Sequence, residues 1–129
     1  RYDEVFKIAR DARDAAVDLL RERSAAGQPV RGFEVDDCAR RIIAERGYGD
    51  RFTHRLGHSI GFCVHANGVN MDSFETHDTR PVIPGSCFSI EPGIYLPDFG
   101  VRTEIDVFMH ETGPEVTTPA QSEVFLFGR

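Results

Sequence analysis

Cys87-Phe88-Ser89-Ile90-Glu91-Pro92-Gly93-Ile94-Tyr95-Leu96-Pro97-Asp98-Phe99-Gly100-Val101-Arg102-Thr103-Glu104-Ile105-Asp106-Val107-Phe108-Met109 decides the fold of this chain. Short β-prone runs at Cys87–Ile90, 94–96 and 101–109 are interrupted by Pro92-Gly93 and joined through Pro97-Asp98-Phe99-Gly100. Pro presets φ for a turn and Asp and Gly complete it, so the joining segment predicts a hairpin with Glu91 and Glu104 on paired neighbouring strands. Side chains alternate along a strand, so Val101, Thr103, Ile105, Val107 and Met109 share one face while Arg102, Glu104, Asp106 and Phe108 share the other.

Pro84-Gly85 marks the turn before this hairpin, and further β-prone runs lie at 52–64 and 124–127. The start of the chain has a different period. Tyr2, Val5, Phe6, Ala9, Ala12, Ala16, Leu19 and Leu20 recur at three-to-four spacing, which predicts an amphipathic helix over 2–23. Gly27 and Pro29 break it. A second helix is expected over 33–46, with Glu34, Asp36 and Asp37 early and Arg40, Arg41 and Arg46 late, matching the helix dipole. Gly47 is its natural stop, and Cys38, Ile42 and Ile43 would turn inward. Helices first and strands later make an α+β fold, two helices packed on one face of a curved antiparallel sheet, in one unit spanning 1–129.

With 129 residues the chain can bury a single core. No apolar run approaches the about 20 residues that cross a bilayer, so no membrane partner is expected. The 15 basic and 21 acidic residues leave a net charge of −6 and no basic stripe, which argues against nucleic acid. Cys38, Cys63 and Cys87 are widely spaced among apolar neighbours and read as buried thiols of a reducing compartment, the cytoplasm. The phenylalanines at 33, 52, 62, 88, 125 and 127 are assigned to the core, and Tyr95 to packing with its hydroxyl on water. Arg1 opens directly on the helical pattern without an initiating Met, as expected of a piece cut from a longer chain.

Charged residues on one strand face ordinarily sit in water. Glu91, however, stands between Ile90 and Pro92 in an apolar stretch, where an unpaired carboxylate is costly. A metal or an arginine would satisfy it, and Arg102 alone could serve. His54, His58 and His65 put three of the five histidines within residues 54–65. Strand alternation would set His54 and His58 on one face and exclude His65, unless a turn intervenes near Gly61. One imidazole with two carboxylates suits manganese, cobalt, iron or zinc rather than calcium.

Taken in order, His54-Arg55-Leu56-Gly57-His58-Ser59-Ile60-Gly61 with His65, Ile90-Glu91-Pro92-Gly93-Ile94-Tyr95, and Gly100-Val101-Arg102-Thr103-Glu104-Ile105-Asp106 resemble the pita-bread metallopeptidases. The Xaa-Pro peptidases of prolidase and aminopeptidase P type are the nearest match, and the similarity runs from the first helix to about Thr118. The resemblance implies the second half of a pita-bread fold and a centre of two divalent ions (manganese, cobalt or zinc) held by two Asp, one His and two Glu. His58 and Glu91 would bind one ion and Glu104 would bridge both. His54 and His65 would line the pocket for a proline-containing peptide substrate as catalytic residues. Arg102 would orient Glu104 or Glu91, with Asp106 in a similar role.

The family's two Asp ligands precede the first helix, and Asp3, Asp11, Asp14 and Asp18 do not follow their pattern and read as solvent-facing charges. Ile105 stands where the family more often has a second acidic residue. The chain is therefore expected to be the C-terminal part of a catalytic domain, to hold at most one weakly bound ion, and to be inactive alone. An open sheet edge and the apolar 124–127 segment point to a homodimer. The alternative is a non-catalytic pita-bread module that binds proteins, which the retained ligands disfavour. Methionine aminopeptidase is disfavoured by the Ile94-Tyr95 and Arg102 context, and creatinase by the two matching Glu.

Overall fold

The computed structural model describes residues 1–128. Helix α1 spans Tyr2–Ala25 and buries Val5, Phe6, Ala9, Ala12, Ala16 and Leu20 of the expected face together with Ile8 and Val17, while Leu19 is half-buried and Tyr2 is exposed. Three alanines at the centre of that face let helix α2, Gly32–Glu45, pack closely against it. The Arg31 amide donates to Glu34 Oε2 at 2.8 Å and closes the start of α2. Its end falls where expected, because Gly47 at φ +85° takes a conformation that other residues resist.

Five strands follow: β1 Cys87–Ile90, β2 Gly93–Tyr95, β3 Gly100–Arg102, β4 Ile105–His110 and β5 Gly113–Val116. β1, β4 and β5 form an antiparallel sheet in the order β1-β4-β5, and β2 pairs with β3. The α+β class and the helices over antiparallel strands stand. Ile90 lies opposite Ile105 and Gly93 opposite Arg102, so one register runs through the interruption. The Thr103 amide reaches Pro92 O at 3.3 Å inside that gap. Glu91 and Glu104 therefore face each other in the gap between strands, and not on the paired strands themselves as expected. Pro92 has no amide to give the ladder, and the pairing lapses around it.

Residues 52–64 do not form the expected strand. A 3-10 turn at Gly49–Arg51 precedes an extended segment, residues 56–60, that runs antiparallel along the free edge of β1. Glu91 N donates to Leu56 O (2.7 Å), Ser89 N to His58 O (2.9 Å) and Ile60 N to Cys87 O (2.8 Å). Return bonds of a ladder are missing where side chains take the amides: the His58 amide goes to Ser89 Oγ and the Leu56 amide to Asp36 Oδ2, each at 3.0 Å. Residues 124–127 form no strand either; Phe125, Leu126 and Phe127 are exposed. Conversely, β5 escaped notice because Gly113-Pro114 reads as a turn, and Pro114 is tolerated there only because β5 is an edge strand.

The core lies between the helices and the sheets. Phe52, Phe88, Leu20, Ile43, Ile90, Ile94, Ile105 and Val107 are fully buried, and Met109 nearly so, as the strand alternation required. Of the other phenylalanines assigned to the core, Phe33 is half-buried and Phe62, Phe125 and Phe127 are exposed, so that assignment fails for them. The thiols depart as well: Cys63 is exposed and Cys38 and Cys87 are half-buried. Ile43 is turned inward, whereas Ile42 is only half-buried. Among the described residues no helix is long and apolar enough to cross a membrane.

Candidate metal centre

Helix α2 holds the loop on which the histidines stand. Asp36, wholly buried, takes Arg40 Nε at 2.7 Å and the Leu56 amide at 3.0 Å. Arg40 in turn donates to the carbonyls of Phe52 and His54, each at 2.8 Å, and lies over the Phe52 ring. A charge pair whose remaining donors and acceptors all find partners is rigid, so residues 52–56 leave α2 in one conformation.

Directly after Leu56, the loop passes against β1 without a side chain in the way. A Cβ on Gly57 would stand 1.8 Å from Ser89 O, so only glycine permits this approach. The next residue, His58, is buried. Its Nδ1 lies 3.1 Å from the Ser59 carbonyl, which can only accept, so a proton on Nδ1 is satisfied there and Nε2 is the ring nitrogen turned to the carboxylates. That Nε2 is 3.2 Å from Glu91 Oε1. Ser89 Oγ donates to the same Glu91 oxygen at 2.9 Å, and Arg102 Nη1 stands 3.7 Å from Oε2.

Glu104 completes the group from the opposite side of the interrupted hairpin. Ligand atoms of His58, Glu91 and Glu104 all lie within 4.8 Å of one another, the one such cluster among the described residues. Glu104 is an exposed residue, yet partial desolvation of its carboxyl, and then the charges of Glu91 and Asp106, raise that carboxyl's pKa. Two mutually repelling carboxylates beside an imidazole nitrogen are a donor set that suits a divalent cation. Ligands about 2.0–2.2 Å from one ion lie about 3–4 Å apart, so only small side-chain adjustments are needed.

The other expected site residues separate into two groups. The His65 ring centroid lies 4.2 Å from that of His58, because the chain turns at Gly61 and returns through the Ala66 amide to Ser59 O. His54 is elsewhere engaged: Nδ1 contacts the Arg55 carbonyl and Nε2 the Tyr95 hydroxyl, each at 2.7 Å. Tyr95 is thus a hydrogen-bonding partner of His54 and not a packing residue wetted by water. Burial raises its phenol pKa, while the charge of Arg102 opposes the rise. Asp106 contributes charge beside Glu104. Asp3, Asp11, Asp14 and Asp18 pair with Lys7, Arg10, Arg13 and Arg21 along α1, consistent with surface charges. Ser89 and Asp36 were not anticipated, since nothing in their spacing separates them from ordinary strand and helix residues.

The model of metallopeptidase family M24 matches residues 1–111. The Xaa-Pro dipeptidase of Lactobacillus delbrueckii subsp. lactis is 43% identical over 102 residues, 78% of this chain and 25% of the relative. That of Pyrococcus furiosus is 35% identical over 122 residues, 94% of this chain and 32% of the relative. The crystal structure of the prolidase from Pyrococcus horikoshii OT3 superposes with a TM-score of 0.79 at 33% identity, covering 95% of this chain and 33% of that one. The chain thus spans a quarter to a third of the length of these relatives.

Proposed function

This chain belongs to metallopeptidase family M24, and on that premise we propose that it carries three ligands, His58, Glu91 and Glu104, of a dinuclear centre that hydrolyses peptide bonds preceding proline. The observation that carries the reading is the convergence of these ligand atoms within 4.8 Å of one another, with the His58 ring held through Nδ1 so that Nε2 faces the carboxylates. In this reading His58 and Glu91 hold one ion and Glu104 bridges to a second, with manganese, cobalt or zinc as candidates. The two further Asp ligands belong to a preceding part of the fold outside these residues. Divalent ions bound there supply a nucleophile at neutral pH and charge stabilisation for the developing oxyanion.

The remaining residues position and bind. Arg102, whose Nη1 stands 3.7 Å from Glu91 Oε2, would orient Glu91 or Glu104 through its charge. His65, exposed beside His58, is free to donate a hydrogen bond to a substrate carbonyl or carboxylate. His54 is engaged with the Tyr95 hydroxyl, and its place in a substrate pocket rests on the likeness to the family. By itself the chain binds one ion weakly and does not turn over. In the whole protein the reading extends to a cytoplasmic homodimer, in which Phe125, Leu126 and Phe127, exposed here, supply part of the contact.

Calorimetric titration of the chain with manganese or cobalt tests the ligand set. A binding isotherm abolished by Glu104→Ala is expected. No binding at millimolar metal would instead favour the protein-binding module. Reuniting the chain with the preceding part of its fold and assaying Xaa-Pro cleavage tests the substrate class.

A further inference from the structure

We propose that Ser89 is a positioning residue that locks His58 and Glu91 to one another and so sets the metal affinity of the centre, an inference that rests on the metal-centre reading above. Ser89 is wholly buried in β1. A hydroxyl has one proton to give and lone pairs to accept with. The His58 amide, at 3.0 Å, occupies an acceptor position on Ser89 Oγ. The single proton is then donated to Glu91 Oε1 at 2.9 Å, the oxygen that also stands 3.2 Å from His58 Nε2. One small side chain thus joins the main chain of one ligand to the carboxylate of the other.

The lock is reinforced from both sides. The Ser89 amide holds the His58 carbonyl at 2.9 Å and the Ser59 carbonyl holds the ring through Nδ1, so His58 is fixed at amide, carbonyl and imidazole. Glu91 is fixed at its own amide by Leu56 O at 2.7 Å and at Oε1 by Ser89. A partner that merely satisfied a buried amide would have no reason to reach the carboxylate. Partners of this kind change metal affinity by about 10–100-fold when removed.

The test is cobalt(II) titration of the chain, read by calorimetry and by the visible absorption of the bound ion, for wild type, Ser89→Ala and Ser89→Thr. Ser89→Ala should weaken cobalt binding by about 10–100-fold and alter the spectrum, while Ser89→Thr, which keeps the hydroxyl, should bind within about threefold of wild type. A folded Ser89→Ala that binds within threefold of wild type with an unchanged spectrum overturns the role of Ser89 and leaves the metal centre standing. Absence of cobalt binding by wild type overturns both. Should Ser89→Ala fail to fold, Ser89→Cys carries the same comparison, since its thiol keeps the volume but donates only weakly, and retained affinity there overturns the lock.

Discussion

The Leu56 amide donates to the buried carboxylate of Asp36 at 3.0 Å, across 20 residues of sequence, and this bond ties the histidine loop to helix α2. Asp36→Ala leaves that amide and the Arg40 guanidinium without their shared partner. Removing one member of a buried pair costs about 3–5 kcal/mol. Urea unfolding should show a lowered midpoint, and cobalt affinity should fall with it because the loop is no longer held.

Gly57→Ala should damage the centre by a different route. Its Cβ would stand 1.8 Å from Ser89 O, so the β1 backbone or the loop must move. Overpacking of this kind costs about 1–3 kcal/mol, and the displaced His58 should lose metal. Gly47→Ala is the control: its Cβ meets nothing within 4 Å, so strain at φ +85° should lower the thermal midpoint while cobalt binding stays intact. Equal metal loss in both variants would contradict the argument.

Glu104→Gln separates stability from binding. The Glu104 carboxyl is raised in the folded chain, chiefly by partial desolvation at an otherwise exposed residue and then by the charges of Glu91 and Asp106. A carboxyl raised on folding imposes a penalty that is present above the ordinary carboxylate range and is relieved as pH falls. The neutral amide removes it, so the metal-free variant should melt higher than wild type at pH 7. Added manganese should stabilise wild type and leave the variant unmoved, as thermal melts with and without metal will reveal.

Asp78 gives the fold an acid limit. It accepts from the Asn70 amide at 2.8 Å and from Arg80 Nη2 at 2.6 Å, and Arg80 chiefly holds its carboxyl down to about 2 from 3.8. A depressed carboxyl adds stability that is complete above its unfolded pKa and disappears as pH falls through the folded one. The contribution is on the order of 1–2 kcal/mol, allowing for screening at the half-exposed Arg80. Wild type should lose it between about pH 4 and 2. Asp78→Asn should be less stable at neutral pH and flatter across that window in pH-dependent denaturation.

The parts of the molecule written in neighbouring residues were legible without coordinates. Helix α1 follows from apolar spacing, the end of α2 from Gly47, and the burial of Ile105, Val107 and Met109 from alternation beyond the Pro97-Asp98-Phe99-Gly100 turn. Recognition of His58, Glu91 and Glu104 as one group came from the order of their motifs, since no local spacing links them, and the folded chain brings their ligand atoms together.

Other features depend on partners far along the chain. The run at 52–64 has the composition of a strand, but Ser89 Oγ and Asp36 Oδ2 take the amides of His58 and Leu56 that a ladder with β1 would have used. The same long-range pairing gives His54 to Tyr95, 41 residues away, while the turn at Gly61 brings His65 against His58. Periodicity and turn chemistry act between neighbours, so the amino-acid sequence by itself determined the helices, the hairpin and the kinds of ligand. Which hydroxyl holds which carboxylate was decided only when tertiary packing brought distant donors and acceptors together in a dry interior, where each buried group must find a partner.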